Sequence, residues 1–497
     1  MLTIAIFVPI AAAVLMVLAP RRGPQDESAA KLRVVSTAIS ALPLLIMIVA
    51  WARFDGSKGF DLIESARWIP TLGVGYKVGV DGVSLPLAAM TALIFVASIA
   101  YPVDFKGRAR QYFALMLFLE GVSLGLFLAL DLFLFFVFWD LSLVGMYFLI
   151  GAWGHGDPQR SALKFFIYTL AGSLALLLGI IGLYLASDPR TFDMEALIRQ
   201  QPLPAAGLYS TLVFLGFFLG FAIKTPLVPF HTWLPPAHVD APAPASAILA
   251  GVLLKMGTYG FVRVLLTMMP ETFARFAFPL GVLAVVSIVY GALVALAQTN
   301  IKRLIAYTSV NHMGYVILGI AAAGAAVSGK AEAQTLALTG ATVEMIAHGL
   351  ITGALFLISG SVMARGHTYE MDEFGGLAER APALTGVTVI AAFASLGLPS
   401  LAGFVAEFQV FTGTLSVYPW LAGIGLVGIV ITAALFLRML QKLFLGSLPE
   451  KWLQFSDLDR AETAALGGLL TFVVVIGVTP AWLLDVIDRT AGRLLGN

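Results

Sequence analysis

The sequence predicts an all-α integral membrane protein with about fourteen transmembrane helices, including two inverted five-helix repeats that each contain a broken helix. Three observations predict it. Apolar residues fill 59% of 497 positions and charged residues only 12%, whereas soluble domains carry about a quarter charged. Apolar stretches of membrane-crossing length recur along the whole chain. Two of them are interrupted midway by helix breakers, one in each half.

A helix needs roughly 20 apolar residues to cross hydrocarbon, because its backbone must satisfy its own hydrogen bonds there. On that measure spans are predicted at Leu2–Ala19, Val34–Trp51, Ser84–Tyr101, Tyr112–Leu130, Leu132–Trp153, Leu163–Ala186 and Tyr209–Phe230. The series continues at Ala245–Leu266, Phe278–Leu296, Leu304–Ala325, Val343–Ala364, Ala383–Phe411, Trp420–Phe444 and Ala464–Val486. The apolar start at Leu2, with no basic region or small-residue cleavage site, reads as a retained first span. Residues 1–497 form one polytopic domain, with 112–266 as a first repeat and 278–444 as a second.

Basic loops set the expected orientation. Arg21, Arg22, Lys31 and Arg33 fall on one side with Lys106, Arg108 and Arg110, then Arg160 and Lys164, Lys302 and Arg303, and Arg438, Lys442, Lys451 and Arg460. That side is the cytoplasm by the positive-inside rule, and both termini then face the periplasm from a plasma (inner) membrane. The longest outer loop, 52–83, mixes both signs with glycine and reads as a structured cap.

The breaks are Phe221-Ala-Ile-Lys-Thr-Pro-Leu-Val-Pro-Phe230 and Gly397-Leu-Pro-Ser-Leu-Ala-Gly403. Proline removes a ladder bond and clashes with the preceding turn, so each helix opens there. Opened backbone survives at membrane depth only inside protein or along a wet cavity. A kink for packing alone would not explain the charges beside them, Lys224 and Glu407.

Further ionisable groups sit in the apolar runs: Glu120, Asp140, Lys255, His312, Glu344 and His348. Each charge costs roughly 2.5–3.5 kcal/mol or more at a helix centre. Glu120 has a bland reading as a group near a helix end, His312 as a core histidine beside Ser309 and Asn311, and Glu344 with His348 as a self-satisfying pair one turn apart. Asp140, Lys224 and Lys255 have no such excuse. Linked through water, groups of these kinds can pass protons if their affinities are tuned, and a proton relay is the expectation here. An Asp140–Lys224 pair at about 4 Å would gain on the order of 4 kcal/mol at an effective dielectric of 20, against about 2.3 kcal/mol to move a charge across 100 mV.

At these residues a family resemblance enters. Lys224-Thr-Pro-Leu-Val-Pro-Phe-His-Thr-Trp-Leu-Pro235, Ala237-His-Val-Asp-Ala-Pro242, Leu249-Ala-Gly-Val-Leu-Leu-Lys-Met-Gly257, Ile301-Lys-Arg-Leu-Ile-Ala-Tyr-Thr-Ser-Val310, Ile346-Ala-His-Gly349 and Met371-Asp-Glu-Phe-Gly-Gly-Leu377 resemble the antiporter-like subunits of respiratory complex I, NADH:quinone oxidoreductase. They are most similar to the M type, counterpart of mitochondrial chain 4. The resemblance, from about 81 to 442, implies an acid at Asp140 paired with Lys224, a central relay of Lys255 and His348 with His312 beside it, and Glu407 as terminal group. It also implies L-type, N-type and small membrane subunits as partners, with flavin, iron–sulfur clusters and quinone held elsewhere. Two departures stand out: the paired acid is aspartate where the family has glutamate, and Leu234-Pro-Pro-Ala-His238 replaces Leu-Pro-Asp-Ala-His.

Composition narrows the alternatives. The absence of cysteine excludes disulfides, thiolate metal sites and iron–sulfur clusters on this chain, so no cofactor is expected here. A net charge of +1 gives no footprint for nucleic acid; lipids are the expected surroundings. The leading expectation is a proton-translocating subunit. Its rivals are a subunit of a multi-component Na⁺/H⁺ antiporter and a span bundle of a related membrane hydrogenase.

Overall fold

The computed structural model describes residues 1–19, 25–56 and 59–496. Arg21 and Arg22, two of the basic residues counted above, lie outside them. In chain order come α1 (Leu2–Leu18), α2 (Gln25–Arg53), strands β1 (Asp61–Ile69) and β2 (Val74–Val80), α3 (Ser84–Ala100), α4 (Ala109–Leu128), α5 (Leu132–Trp153) and α6 (Pro158–Ala186). A short α7 (Met194–Gln200) precedes α8 (Leu208–Lys224), α9 (Leu234–Asp240), α10 (Ala243–Leu266), α11 (Pro270–Leu296), α12 (Ile301–Ala323) and α13 (Ala331–Gly366). The chain ends with α14 (Pro382–Ser395), α15 (Ala402–Val417), α16 (Pro419–Phe444), α17 (Arg460–Val478) and α18 (Ala481–Leu494).

Among the described residues, ten helices are long and apolar enough to cross a membrane, and four shorter apolar helices join them, including one half of each broken span. That makes fourteen, as expected. The final predicted span, Ala464–Val486, is a correction: α17 stops at Val478 and the chain turns into α18. Pro480 sits at that turn, where it removes a ladder donor. The 14-residue α18 buries Leu483, Ile487, Thr490 and Ala491 and exposes Asp485, Asp488 and Arg489. It is amphipathic and too short to span, so the last span is shorter than predicted and a short amphipathic helix follows it.

Small residues set the helix contacts. A methyl group on Gly291 of α11 would lie 2.8 Å from the Asn311 nitrogen of α12, and one on Gly314 would lie 2.7 Å from Ile288. Close backbone approach of this kind replaces the hydrophobic drive that lipid removes. It fixes α12, and with it His312, against α11.

The 52–83 loop is a cap, as expected, in the form of an antiparallel hairpin that pairs Glu64 with Val78 and Arg67 with Gly75. Glu64 accepts from the first amides of α1, Leu2 N at 2.8 Å and Thr3 N at 3.0 Å, a favourable place for a carboxylate. Lys77 reaches across to Asp193 and Glu195 at α7. Where the hairpin ends, Asp81 caps α3 through Ser84 N at 2.8 Å and pairs with Arg263 of α10. The two side chains are 1% and 0% exposed. The sequence reading overlooked Arg263, whose charge lies near the end of a span.

Removing one partner of a buried pair strands the other charge at a cost of about 3–5 kcal/mol. Asp81→Ala is therefore expected to lower the unfolding temperature of the solubilised protein, followed by intrinsic tryptophan fluorescence. The double replacement Asp81→Leu with Arg263→Met should recover part of the loss; a single variant as stable as the parent would show that the pair contributes nothing.

Candidate functional site

The centre of the bundle is built on Lys255, near the middle of α10. Two stretches of that helix, Leu249–Leu253 and Phe261–Leu266, are wound as π-helix, a departure that recurs at functional sites. The Lys255 ammonium donates to the Ala250 carbonyl at 2.6 Å and meets His348 Nδ1 at 2.6 Å. The His348 ring lies 5.4 Å from that of His312. His312 Nδ1 is 3.1 Å from Glu344 Oε1 and 4.0 Å from Glu407 Oε1, and its Nε2 is 3.1 Å from Ser395 Oγ.

Five helices thus converge, with α10, α12, α13 and α15 supplying the ionisable groups and α14 the Ser395 hydroxyl. Glu344 and His348 lie one turn apart on α13, but they do not satisfy each other: the acid turns to His312 and the histidine to Lys255. His312 is more than a neighbour of the relay, because it touches both carboxylates. One oxygen of Glu344 and Nε2 of His348 have no hydrogen-bond partner, and a buried polar group left unpaired costs roughly 1–3 kcal/mol. Such atoms are where water or a moving proton would be held.

Each break supplies a further charge. α8 ends at Lys224, and the opened backbone is satisfied locally: Trp233 Nε1 donates to the Ile223 carbonyl at 2.9 Å, and Val228 N to Ser287 Oγ at 3.0 Å. Lys224 donates to Ser142 Oγ at 3.0 Å and lies 4.9 Å from the centre of the Trp139 ring. No ion pair joins it to Asp140 within 4.0 Å. Asp140 is only half-buried, with Oδ1 unpartnered. The expected close pair is therefore absent. Aspartate is one methylene shorter than glutamate, and the Lys224 ammonium is seated on Ser142 instead, two residues along α5.

At the second break Gly397 has φ +75, and a methyl group there would lie 2.3 Å from Glu407 Oε2. The missing side chain both permits the turn and seats the carboxylate against it. Lys224, Lys255 and Glu407 are 2%, 0% and 5% exposed. None points out of the bundle.

Glu120 stands apart. It is fully buried and accepts from Ser40 Oγ of α2 at 2.9 Å, and no recorded bond ties it to the file.

Two further residues, besides Arg263, escaped the sequence reading. Lys302, counted there as a loop charge, is fully buried. It donates to the carbonyls of Val239, at 3.4 Å, and Ala241 at the end of α9, and lies 5.2 Å from the Tyr369 ring. His238, quoted only inside a motif, stacks on Phe356 at 4.4 Å with both ring nitrogens unpartnered. Periodicity held the only signal: Ile301, Lys302, Leu304 and Ile305 are buried while Arg303 is exposed. Nearby, outside the spans, burial and then the Lys302 and Lys106 ammonium groups hold His155 down at about 4, so this loop histidine is neutral at neutral pH.

Residues 129–432 match the family described as NADH:quinone oxidoreductase/Mrp antiporter, transmembrane. The chain is 37% identical over its whole length to NADH-quinone oxidoreductase subunit M of Rhodobacter capsulatus, covering 96% of that protein. The chain belongs to this family. It is also 38% identical to F(420)H(2) dehydrogenase subunit M of Methanosarcina mazei, over 92% of this chain and 91% of that one. A chain of respiratory complex I from Thermus thermophilus with bound NADH superposes with a TM-score of 0.87 at 31% identity, covering all of both chains. The seat that Gly397 gives the Glu407 carboxylate has a measurable consequence. Gly397→Ala is expected to remove most proton translocation from the assembled enzyme, while Gly423→Ala, at a position with open space around it, leaves it intact. Equal translocation by the two variants would show that the seat of Glu407 is immaterial.

Proposed function

We propose that protons cross this chain along Lys255, His348, His312, Glu344 and Glu407, fed from the side of Lys224 and Asp140. The chain is a proton-translocating membrane-arm subunit of an NADH:quinone oxidoreductase, and these residues are the groups that load and release its protons. One observation carries the assignment: five ionisable side chains from four helices sit in contact or near contact in the middle of the bundle, satisfied chiefly by one another. A charge moved among them exchanges one buried partner for another, and so avoids the several kcal/mol of transfer from water.

The residues divide by role. Lys255 and His348 share one hydrogen bond and hold one proton between them. His312 passes it to Glu344 or Glu407. Lys224, held by a hydroxyl and an aromatic face, is a movable cation whose swing towards Asp140 would gain on the order of 4 kcal/mol at 4 Å. Each five-helix run, 112–266 and 278–444, has its fourth helix broken; five is odd, so the second run enters from the opposite face, in keeping with inverted repeats. Redox groups belong to partner subunits, with L-type and N-type neighbours flanking this chain in a plasma membrane and both termini on the periplasmic side. Glu120 would serve as an accessory site at the α2–α4 contact. Sodium exchange is the less supported alternative: the full-length relatives named above are quinone- or F420-linked dehydrogenase subunits.

Lys224→Ala and Glu407→Ala are each expected to lower the protons moved per electron in vesicles containing the reconstituted enzyme, with quinone reduction assayed in parallel. Unchanged stoichiometry in both would overturn the relay. Asp140→Glu is expected to preserve or raise pumping, since the added methylene reaches towards Lys224; complete loss would mean that the site is built around aspartate. Sodium-dependent pumping would favour the antiporter reading.

A further inference from the structure

On the face away from the basic loops, α2 and α17 both pack against α3 and leave a cleft of about 560 Å³ between them, within the range of about 300–1,000 Å³ usual for ligand sites. Its floor is Met90 of α3 with Ile346 and Leu350 of α13, each no more than 4% exposed. Its rim is open: Ile48 is 56%, Phe472 41% and Trp482 38% exposed. At the mouth Trp51, near the end of α2, meets Trp482 of α18 at 5.3 Å between ring centres. Arg53, the last residue of α2, follows the cleft-lining Ala52 and is exposed, with no ion pair among the described residues.

We propose that this cleft is a phospholipid site, in which one acyl chain of the leaflet opposite the basic loops lies on Met90, Ile346 and Leu350 and the phosphate faces Arg53. The chemistry of the lining selects the ligand. Apart from two indole N–H groups at the mouth, its side chains offer no hydrogen-bonding partner, so a polar ligand would leave buried groups unpaired. The opening lies between apolar spans, at the depth where acyl chains are the solvent. Tryptophan at such a mouth marks the boundary between hydrocarbon and headgroups, and a basic residue there attracts an anionic headgroup. Left empty, the cleft would deny the floor its dispersion contacts.

The site has a second wall with consequences. Ile346 lies between Glu344 and His348 in sequence, and the Met90 sulfur is so close to Gly349 that a methyl group there would lie 2.4 Å from it. An acyl chain on this floor therefore bears on the outer side of the helix segment that carries both groups.

The experiment uses the assembled enzyme in vesicles containing phosphatidylglycerol with a photoactivatable diazirine at the end of one acyl chain, with adducts mapped by mass spectrometry. Adducts are expected on Met90, Ile346 or Leu350, besides those on plainly lipid-facing residues such as Leu178, which is 70% exposed. Ala89→Phe, which fills the cleft from its own lining, should reduce the floor adducts to background and spare Leu178; Ala89→Leu is the gentler variant if the first does not assemble. The same probe with a phosphatidylcholine headgroup should label the floor less, and Arg53→Ala should erase that difference. A floor that stays unlabelled while Leu178 is labelled overturns the site, as does cross-linking of the floor to a neighbouring polypeptide. Equal labelling by the two headgroups overturns the role of Arg53. None of these readouts depends on the proton relay.

Discussion

Hydrocarbon offers no hydrogen bonds, and in this chain that constraint couples the broken helices to the buried charges. A helix opened by Pro226 or turned at Gly397 exposes carbonyls and amides that water cannot reach. They are satisfied from within, by Trp233 on the Ile223 carbonyl and Ser287 on the Val228 amide. The same opening makes room for a side chain that a continuous helix would crowd out. At the second break this is literal, since the Glu407 carboxylate occupies the space that a side chain on residue 397 would need. Break and charge are one feature.

The same economy governs the centre. Lys255 takes a backbone carbonyl within a π-wound stretch and a histidine nitrogen, His312 two carboxylates and a hydroxyl. Every group has at least one partner, yet several retain an unpartnered atom. A fully satisfied network would be rigid and inert, and an unsatisfied one would be too costly to fold. In the proposed relay the partial satisfaction seen here would leave alternative arrangements close in energy. Proton transfer requires that closeness, because a membrane potential of 100 mV supplies only about 2.3 kcal/mol per charge.

Much of this was legible in the residues alone, for a physical reason. Span number and the two breaks follow from hydropathy and proline chemistry, which are local, and buried charges announce themselves because lipid makes them conspicuous. Partner choice was not legible. Whether Glu344 turns to His348, one turn away, or to His312 across a helix interface depends on packing that no spacing encodes. Lys302 shows the other limit: a lysine at a predicted helix end looks like a solvated loop charge, and only the fold reveals that the end of α9 covers it. α18 escaped because its apolar face continues the hydropathy of α17 across Pro480.

The position of Lys224 ties these strands together. Its ammonium has a hydroxyl and an indole face where the family resemblance implies a carboxylate, and Asp140 keeps an unpartnered oxygen. A permanently closed pair would trap the cation, since leaving it forfeits the attraction. A pair that rests open, with a neutral hydroxyl holding the lysine, would leave closure as a step that a neighbouring charge can trigger. In the proposed relay the shortened acid would set the resting state, with Ser142 as the neutral partner that holds Lys224 there.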